Sequence, residues 1–162
     1  MTIGIFSITS STHDAEVLNK KSEQFLNEIR QETGLQLIYC GDDFTRYNEF
    51  DLKLIFIRTG GSEGRFKELY PSLKSPHYLL TTGEDNSLAA SMEILSFLRE
   101  TNEKAEIIHG GIKYIAQRIT AITNVYNALN SFKGQNFGVI GKPSDWLIST
   151  KPTTPQLKIS WV

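Results

Sequence analysis

Two spacings of apolar residues alternate along this chain. Short apolar, β-branched runs at residues 3–8, 35–40, 52–58, 77–82, 105–108 and 137–140 predict six strands. Between them the apolar positions take helical spacing. Leu18, Phe25, Leu26 and Ile29 share one face of a helix over 15–31, with Gly34 as its stop. Leu88, Met92, Leu95 and Leu98 form a stripe over 88–100, widened by Ile94 and Phe97. Ile112, Ile115, Ile119, Ile122, Tyr126 and Leu129 mark a long helix that follows Gly110-Gly111. Residues 66–70 predict a short helix stopped by Pro71, and the polar stretch 41–50 predicts a short helix or an irregular crossover.

Strands alternating with helices predict βαβ units: an α/β chain with a three-layer α/β/α, doubly wound parallel sheet. The run at 52–58 is almost continuously apolar, as expected of a strand covered on both faces. With a flavodoxin-like order 2-1-3-4-5, strand order reverses between the first and third strands, where open α/β sheets bind their ligands. The loops meeting there are 9–13 and 59–64, and beside them lie 82–87, 109–111 and 142–146. Residues 149–162 behave differently, as a connector followed by an extra C-terminal strand segment at 157–162 with no helix to cover it. The expectation is an N-terminal piece of something longer, or a last strand that is an edge or a partner contact.

At 162 residues, 40% hydrophobic and 22% charged, the chain fits one globular domain of ordinary size. Its net charge of -1 offers no basic field for nucleic acid or an anionic membrane. One cysteine, Cys40, excludes an intrachain disulfide and is expected as a small buried residue closing a strand. No charged-then-apolar leader opens the sequence and no run approaches the ~20 residues of a bilayer span. A cytoplasmic location is the expectation.

Candidate chemistry concentrates at the loops named above. Thr59-Gly60-Gly61-Ser62-Glu63-Gly64 converts a strand into a helix and offers free backbone N–H groups, suited to an anion or polar ligand. Its glycines also serve positive φ and close helix packing. They run G-G-x-x-G after the third strand, so the dinucleotide fingerprint fails, and the Gly-Lys-Ser/Thr ending of a P-loop is missing. Ser10 and Ser11 face the same switch point. Asp85 or Asn86, with Ser87, supplies a helix N-cap as readily as a ligand contact. His109 closes a strand at its carboxyl end, while His13, His77 and His109 lack any metal-ligand spacing. Ser144-Asp145-Trp146 joins a cap-like pair to an aromatic that either closes a pocket or anchors a turn by burial. No carboxylate pair, Ser-His-Asp set or Cys-His pair is readable, so no catalytic residue is assigned.

Taken together, TGGSEG at 59–64, TTGEDNSLAASMEIL at 81–95 and GVIGKPSDWLIST at 138–150 resemble the N-terminal region of the L-fucose isomerase and L-arabinose isomerase superfamily. The likeness is closer to an uncharacterised branch related to those sugar isomerases, and it covers most of the chain from Leu52 onward. It implies a first domain at residues 1–134 and the start of a middle domain or crossover at 135–162. It further implies a homo-oligomer, a monosaccharide substrate, and Mn²⁺ held by acidic residues and a histidine of later domains, to which no position here corresponds. On that resemblance the chain itself is non-catalytic, serving oligomer assembly and possible contact with the substrate pocket rim. The alternative is a stand-alone module binding a sugar or sugar phosphate through loops 9–13 and 59–64. A flavodoxin-like redox protein is a third class on the same topology.

Overall fold

The computed structural model describes residues 1–10, 15–136 and 146. Five parallel strands form one sheet in the order β2-β1-β3-β4-β5, as the alternating pattern predicts. They are β1 (Ile3–Ile8), β2 (Leu37–Gly41), β3 (Leu52–Ile57), β4 (His77–Leu80) and β5 (Ala105–Ile108). The helices are α1 (Ala15–Thr33), α2 (Glu63–Leu69), α3 (Ser87–Glu100) and α4 (Ile112–Phe132), with 3₁₀ turns at Phe44–Glu49 and Tyr70–Ser72. The strands expected at 137–140 and 157–162 lie outside the described residues. The chain divides into compact units Met1–Thr123 and Asn124–Val162.

β1 and β3 pair along six residues, Ile3 with Leu52 through Ile8 with Ile57, and are buried on both faces. Alternation sorts their side chains. Phe6, Ile8, Ile55, Ile57 and Leu79 point to one face, where Tyr47, Phe66, Ala90, Ile94 and Leu98 of the Phe44–Glu49 turn, α2 and α3 complete the core. The other face takes α1, through the stacked rings of Phe25 and Phe56 at 5.5 Å, and the first turns of α4, through a paired Arg118 and Glu106 (Nη2 to Oε2 2.7 Å). Helices on both faces follow from right-handed crossovers to either side of β1.

Three local readings change. The buried face of α3 is Ser87, Ala90, Ser91, Ile94 and Leu98, while Met92 of the expected stripe is 58% exposed. Small residues let α3 approach the sheet closely, so the helix turns its slimmest face inward and leaves the bulkier Leu88, Leu95 and Phe97 half-buried at the margins. In α4 burial follows Ile115, Ile119 and Ile122 but ends at Thr123; Leu129 is exposed. α2 does end at Leu69, just ahead of Pro71, which enters the next 3₁₀ turn, where its missing N–H is one of the unused donors. Gly34 does close α1, its N–H returning to the Arg30 carbonyl at 2.9 Å. Cys40 is half-buried rather than buried, and desolvation raises its thiol pKa.

His77 opens β4 with 1% exposure, wedged against the rings of Phe66 and Tyr70. Neither ring nitrogen has a hydrogen-bond partner among the described residues, and the Glu103 carboxylate stands 3.9 Å away. Burial lowers its pKa, against a smaller opposing pull from Glu103. The unfolded chain therefore binds more protons near its ordinary value of about 6.5, so stability present above that value is lost as pH falls below it. Thermal melts should show Tm falling from pH 7 to pH 5, with a shallower slope in His77→Phe. Equal slopes in the two proteins would contradict the assignment.

Candidate functional site

The expected switch point exists between β1 and β3, and the sequence that leaves each strand explains what it holds. Arg58 continues the ladder, its N–H donating to the Ile8 carbonyl at 3.0 Å. Thr59 follows, fully buried, and its hydroxyl oxygen accepts the Ser10 N–H at 2.9 Å. Ser62, also fully buried, donates its hydroxyl to the Thr59 carbonyl at 2.8 Å. Two residues of the TGGSEG turn are thus internal fasteners. They set the loop and do not reach a ligand.

Gly60 has a different duty. A Cβ there would lie 2.8 Å from Asn86 Cβ, and its N–H donates to the Asp85 carbonyl at 2.8 Å. Only a hydrogen in place of a side chain lets the β3 turn touch the β4–α3 loop this closely. Gly61 faces the Ser10 hydroxyl. Glu63 and Gly64 begin α2, and Gly64 borders open space.

The β4–α3 loop is built by side chains on backbone. The Thr81 hydroxyl donates to Ser87 Oγ at 2.8 Å, and the Ser87 hydroxyl donates to the Glu84 carbonyl at 2.6 Å. Asp85 and Asn86 both take positive φ, 50° and 60°. Asn86 occupies the N-cap position with a left-handed backbone and without a side-chain capping bond. The Ser87 hydroxyl ties the loop together without capping a helix N–H. Lys21 of α1 reaches over to this loop, 3.0 Å from Glu84 and 3.6 Å from Asp85, and these carboxylates raise its pKa. Exposed as they are, the pairs orient more than they stabilise.

Farther along the same edge, His109 Nδ1 lies 3.3 Å from the Thr81 carbonyl. Its ring lies over Gly83 (φ +84), where a Cβ would meet Cε1 at 2.5 Å. His109 therefore belongs to the β4–β5 part of the carboxyl edge, beside Thr81 and Gly83.

A cleft of about 1100 Å³ opens at the switch point and runs down between α1 and the edge strand β2. Ser10 and Gly61 line its upper end with Arg58 and Arg65. Asn19, Glu23 and Arg30 of α1 line one side, facing Tyr39 and Asp42. Tyr39 donates its hydroxyl to Ser7 Oγ at 3.1 Å, and Arg30 is held by the Leu37 carbonyl (3.1 Å) and Asn27 Oδ1 (2.8 Å). Of the residues expected at a site, the cleft collects Ser10 and Gly61. Thr59, Gly60 and Ser62 build its wall from behind, and Asn86, Ser87 and His109 stand at the neighbouring loops. Trp146 is 80% exposed rather than buried, and it belongs to the second unit. Ser11, Ser144 and Asp145 lie outside the described residues.

Sequence reasoning missed Arg58, Asn19, Tyr39 and Arg30. A signal was present for Arg58: a lone cation ending an almost continuously apolar strand at the switch point. The others become neighbours only through the β1–α1–β2 crossover. Among the described residues no group of three or more His, Cys, Asp or Glu is placed to hold a metal ion, and no helix is long and apolar enough to cross a membrane. No protein-family model matches the chain, and no curated protein matches it either.

Proposed function

We propose that this chain is the N-terminal α/β/α domain of a sugar-isomerase-like protein, and that its carboxyl-edge cleft forms part of the rim of a polyol pocket. One observation carries this reading. The cleft sits at the β1/β3 switch point and is lined there by hydrogen-bonding side chains, among them Ser10, Asn19 and Tyr39. The strand order is the one the resemblance to L-fucose and L-arabinose isomerases implies. Hydroxyl and amide groups of this kind exchange hydrogen bonds with a polyol and carry no reaction by themselves. Assembly as a homo-oligomer belongs to the same proposal.

The described residues do not fit the Mn²⁺ of those isomerases. His77 is walled in by Phe66 and Tyr70, His109 lies over Gly83, and neither joins a set of three possible ligands. No catalytic step is assigned to this chain. Proton transfer between C1 and C2 of a sugar would need groups that the described residues do not bring together.

A second reading, a free-standing module for a sugar or sugar phosphate, draws on a specific fact: every described residue lining the cleft belongs to the unit Met1–Thr123. Thermal melts with L-fucose, L-arabinose and their ketose partners, beside light scattering, test both readings. The proposed role predicts a self-associating protein and a saturable Tm rise of about 2–5 °C. It also predicts no interconversion of aldose and ketose when Mn²⁺ is added. A monomer with the same Tm rise favours the module. Interconversion by the purified chain, or melts unmoved by every sugar, would overturn the proposed role.

A further inference from the structure

We propose that the cleft seats an oxyanion, a phosphoryl or carboxylate group borne by a polyol, against the guanidinium of Arg58. This rests on the cleft being a ligand site. It adds the charge of the ligand and the residue that reads it.

The argument starts from how arginines are partnered here. Arg118 is half-buried and paired with Glu106, and the exposed Arg46 and Arg65 are paired with Glu49 and Glu68. Arg99 is exposed to water. Arg30 and Arg58 are half-buried, have no carboxylate within 4 Å among the described residues, and line the same cleft. A cation withdrawn from water without a counter-charge is costly. It is retained where something else supplies the charge.

Arg58 is the stronger of the two. Arg30 spends donors on the Leu37 carbonyl and Asn27. Arg58 gives one Nη to Asn19 Oδ1 at 2.9 Å, while its Nε is out of reach of water and has no partner among the described residues. Asn19 is neutral, so it orients the guanidinium without neutralising it. A planar fork held by one arm keeps further Nη hydrogens for two-point binding of an oxyanion. The ladder bond from Arg58 N–H to Ile8 fixes the base of the side chain, so little ordering is needed on binding.

The acids among the described lining residues do not fill this role. Glu68 is engaged by Arg65, and Glu23 and Asp42 are exposed and not within 4 Å of either unpaired arginine. They leave the cleft with mixed charge, favouring a ligand with one anionic group on a neutral polyhydroxyl body. Ser10 and Tyr39 present oxygens for that body.

The test uses the whole chain, with glucose 6-phosphate, gluconate and glucose as probes for phosphoryl, carboxylate and neutral polyols. Binding is read by calorimetry and by the NMR signal of Arg58 Nε–H. The Arg58 signal should shift with glucose 6-phosphate or gluconate, and whichever binds more tightly identifies the anion. Arg58→Gln should weaken that binding at least about tenfold, Arg58→Lys should restore part of it, and Arg99→Gln, away from the cleft, should leave it within about twofold. Equal affinity of Arg58→Gln and the native chain for both anionic probes would overturn the oxyanion seat. So would glucose binding as tightly as either anion with the Arg58 signal unmoved, although the cleft would then stand as a polyol site. If none of the probes shifts Ser10, Gly61 or Arg58, the seat and the cleft reading fall together. The native-chain signal decides the matter even where Arg58→Gln folds poorly.

Discussion

Phe6→Ala should lower unfolding stability by about 3–5 kcal/mol, read as a shift of the urea midpoint at unchanged slope. Phe6 is fully buried in β1, the strand flanked by β2 and β3. Its ring meets Phe44 at 5.3 Å, Tyr47 at 5.1 Å and Phe50 at 5.5 Å between centroids. Phe44 and Tyr47 belong to the 3₁₀ turn that carries the chain from β2 to β3, and Phe50 follows it. Removing Phe6 therefore opens a cavity and unmoors the crossover. The neighbouring sequence permits no refilling, because the space beside Phe6 is already taken up to Gly4. A Cβ at Gly4 would stand 2.8 Å from the Phe6 ring and 2.7 Å from that of Phe50. Phe6→Leu keeps most of the volume and should cost less than half as much. A midpoint unmoved by Phe6→Ala would show that the 3₁₀ turn is not anchored through this ring.

Gly60→Val should cost about 2–3 kcal/mol and move the β4–α3 loop, although Gly60 lies in a turn at the sheet's edge. The added Cβ would stand 2.8 Å from Asn86 Cβ and 3.4 Å from the Asn86 carbonyl oxygen. Neither atom is the loose end of a side chain. Asn86 sits at φ 60° between Asp85, whose carbonyl takes the Gly60 N–H, and Ser87, fastened by Thr81 and Glu84. Relief requires the loop itself to shift. Gly64→Ala is the internal comparison: its Cβ would meet nothing within 4 Å, and in the first turn of α2 it should be neutral or mildly stabilising. Equal effects at Gly60 and Gly64 would show that the turn tolerates side chains throughout. Thermal melts of the two variants separate these outcomes.

The strands and their order were legible because apolar runs such as residues 52–58 are long, β-branched and bounded by turn residues. The face of α3 was not. A hydrophobic stripe marks where large residues lie, whereas close packing on a sheet selected Ala90 and Ser91 instead. The glycine turn was legible as a feature of the switch point but not in its division of labour. Nothing local distinguishes Thr59 and Ser62, which fasten the loop, from Gly61, which borders the cleft. That distinction comes from Ser10, 49 residues from Thr59 in sequence. Arg58 reads on paper as the polar end of a strand. That no described carboxylate pairs with it becomes visible only when Asn19, Glu23 and Asp42 are placed around it.

The proposed ligand contact lies at the carboxyl edge between β1 and β3, a fold position shared by many unrelated activities. Backbone amide shift mapping on titration with L-fucose, L-arabinose and glucose 6-phosphate tests that placement most directly. The account predicts saturable changes centred on Ser10, Tyr39, Arg58 and Gly61 for at least one of the three. Changes confined to the opposite edge around Ser75 and Lys104, or to the exposed face of α3 around Met92, would contradict it.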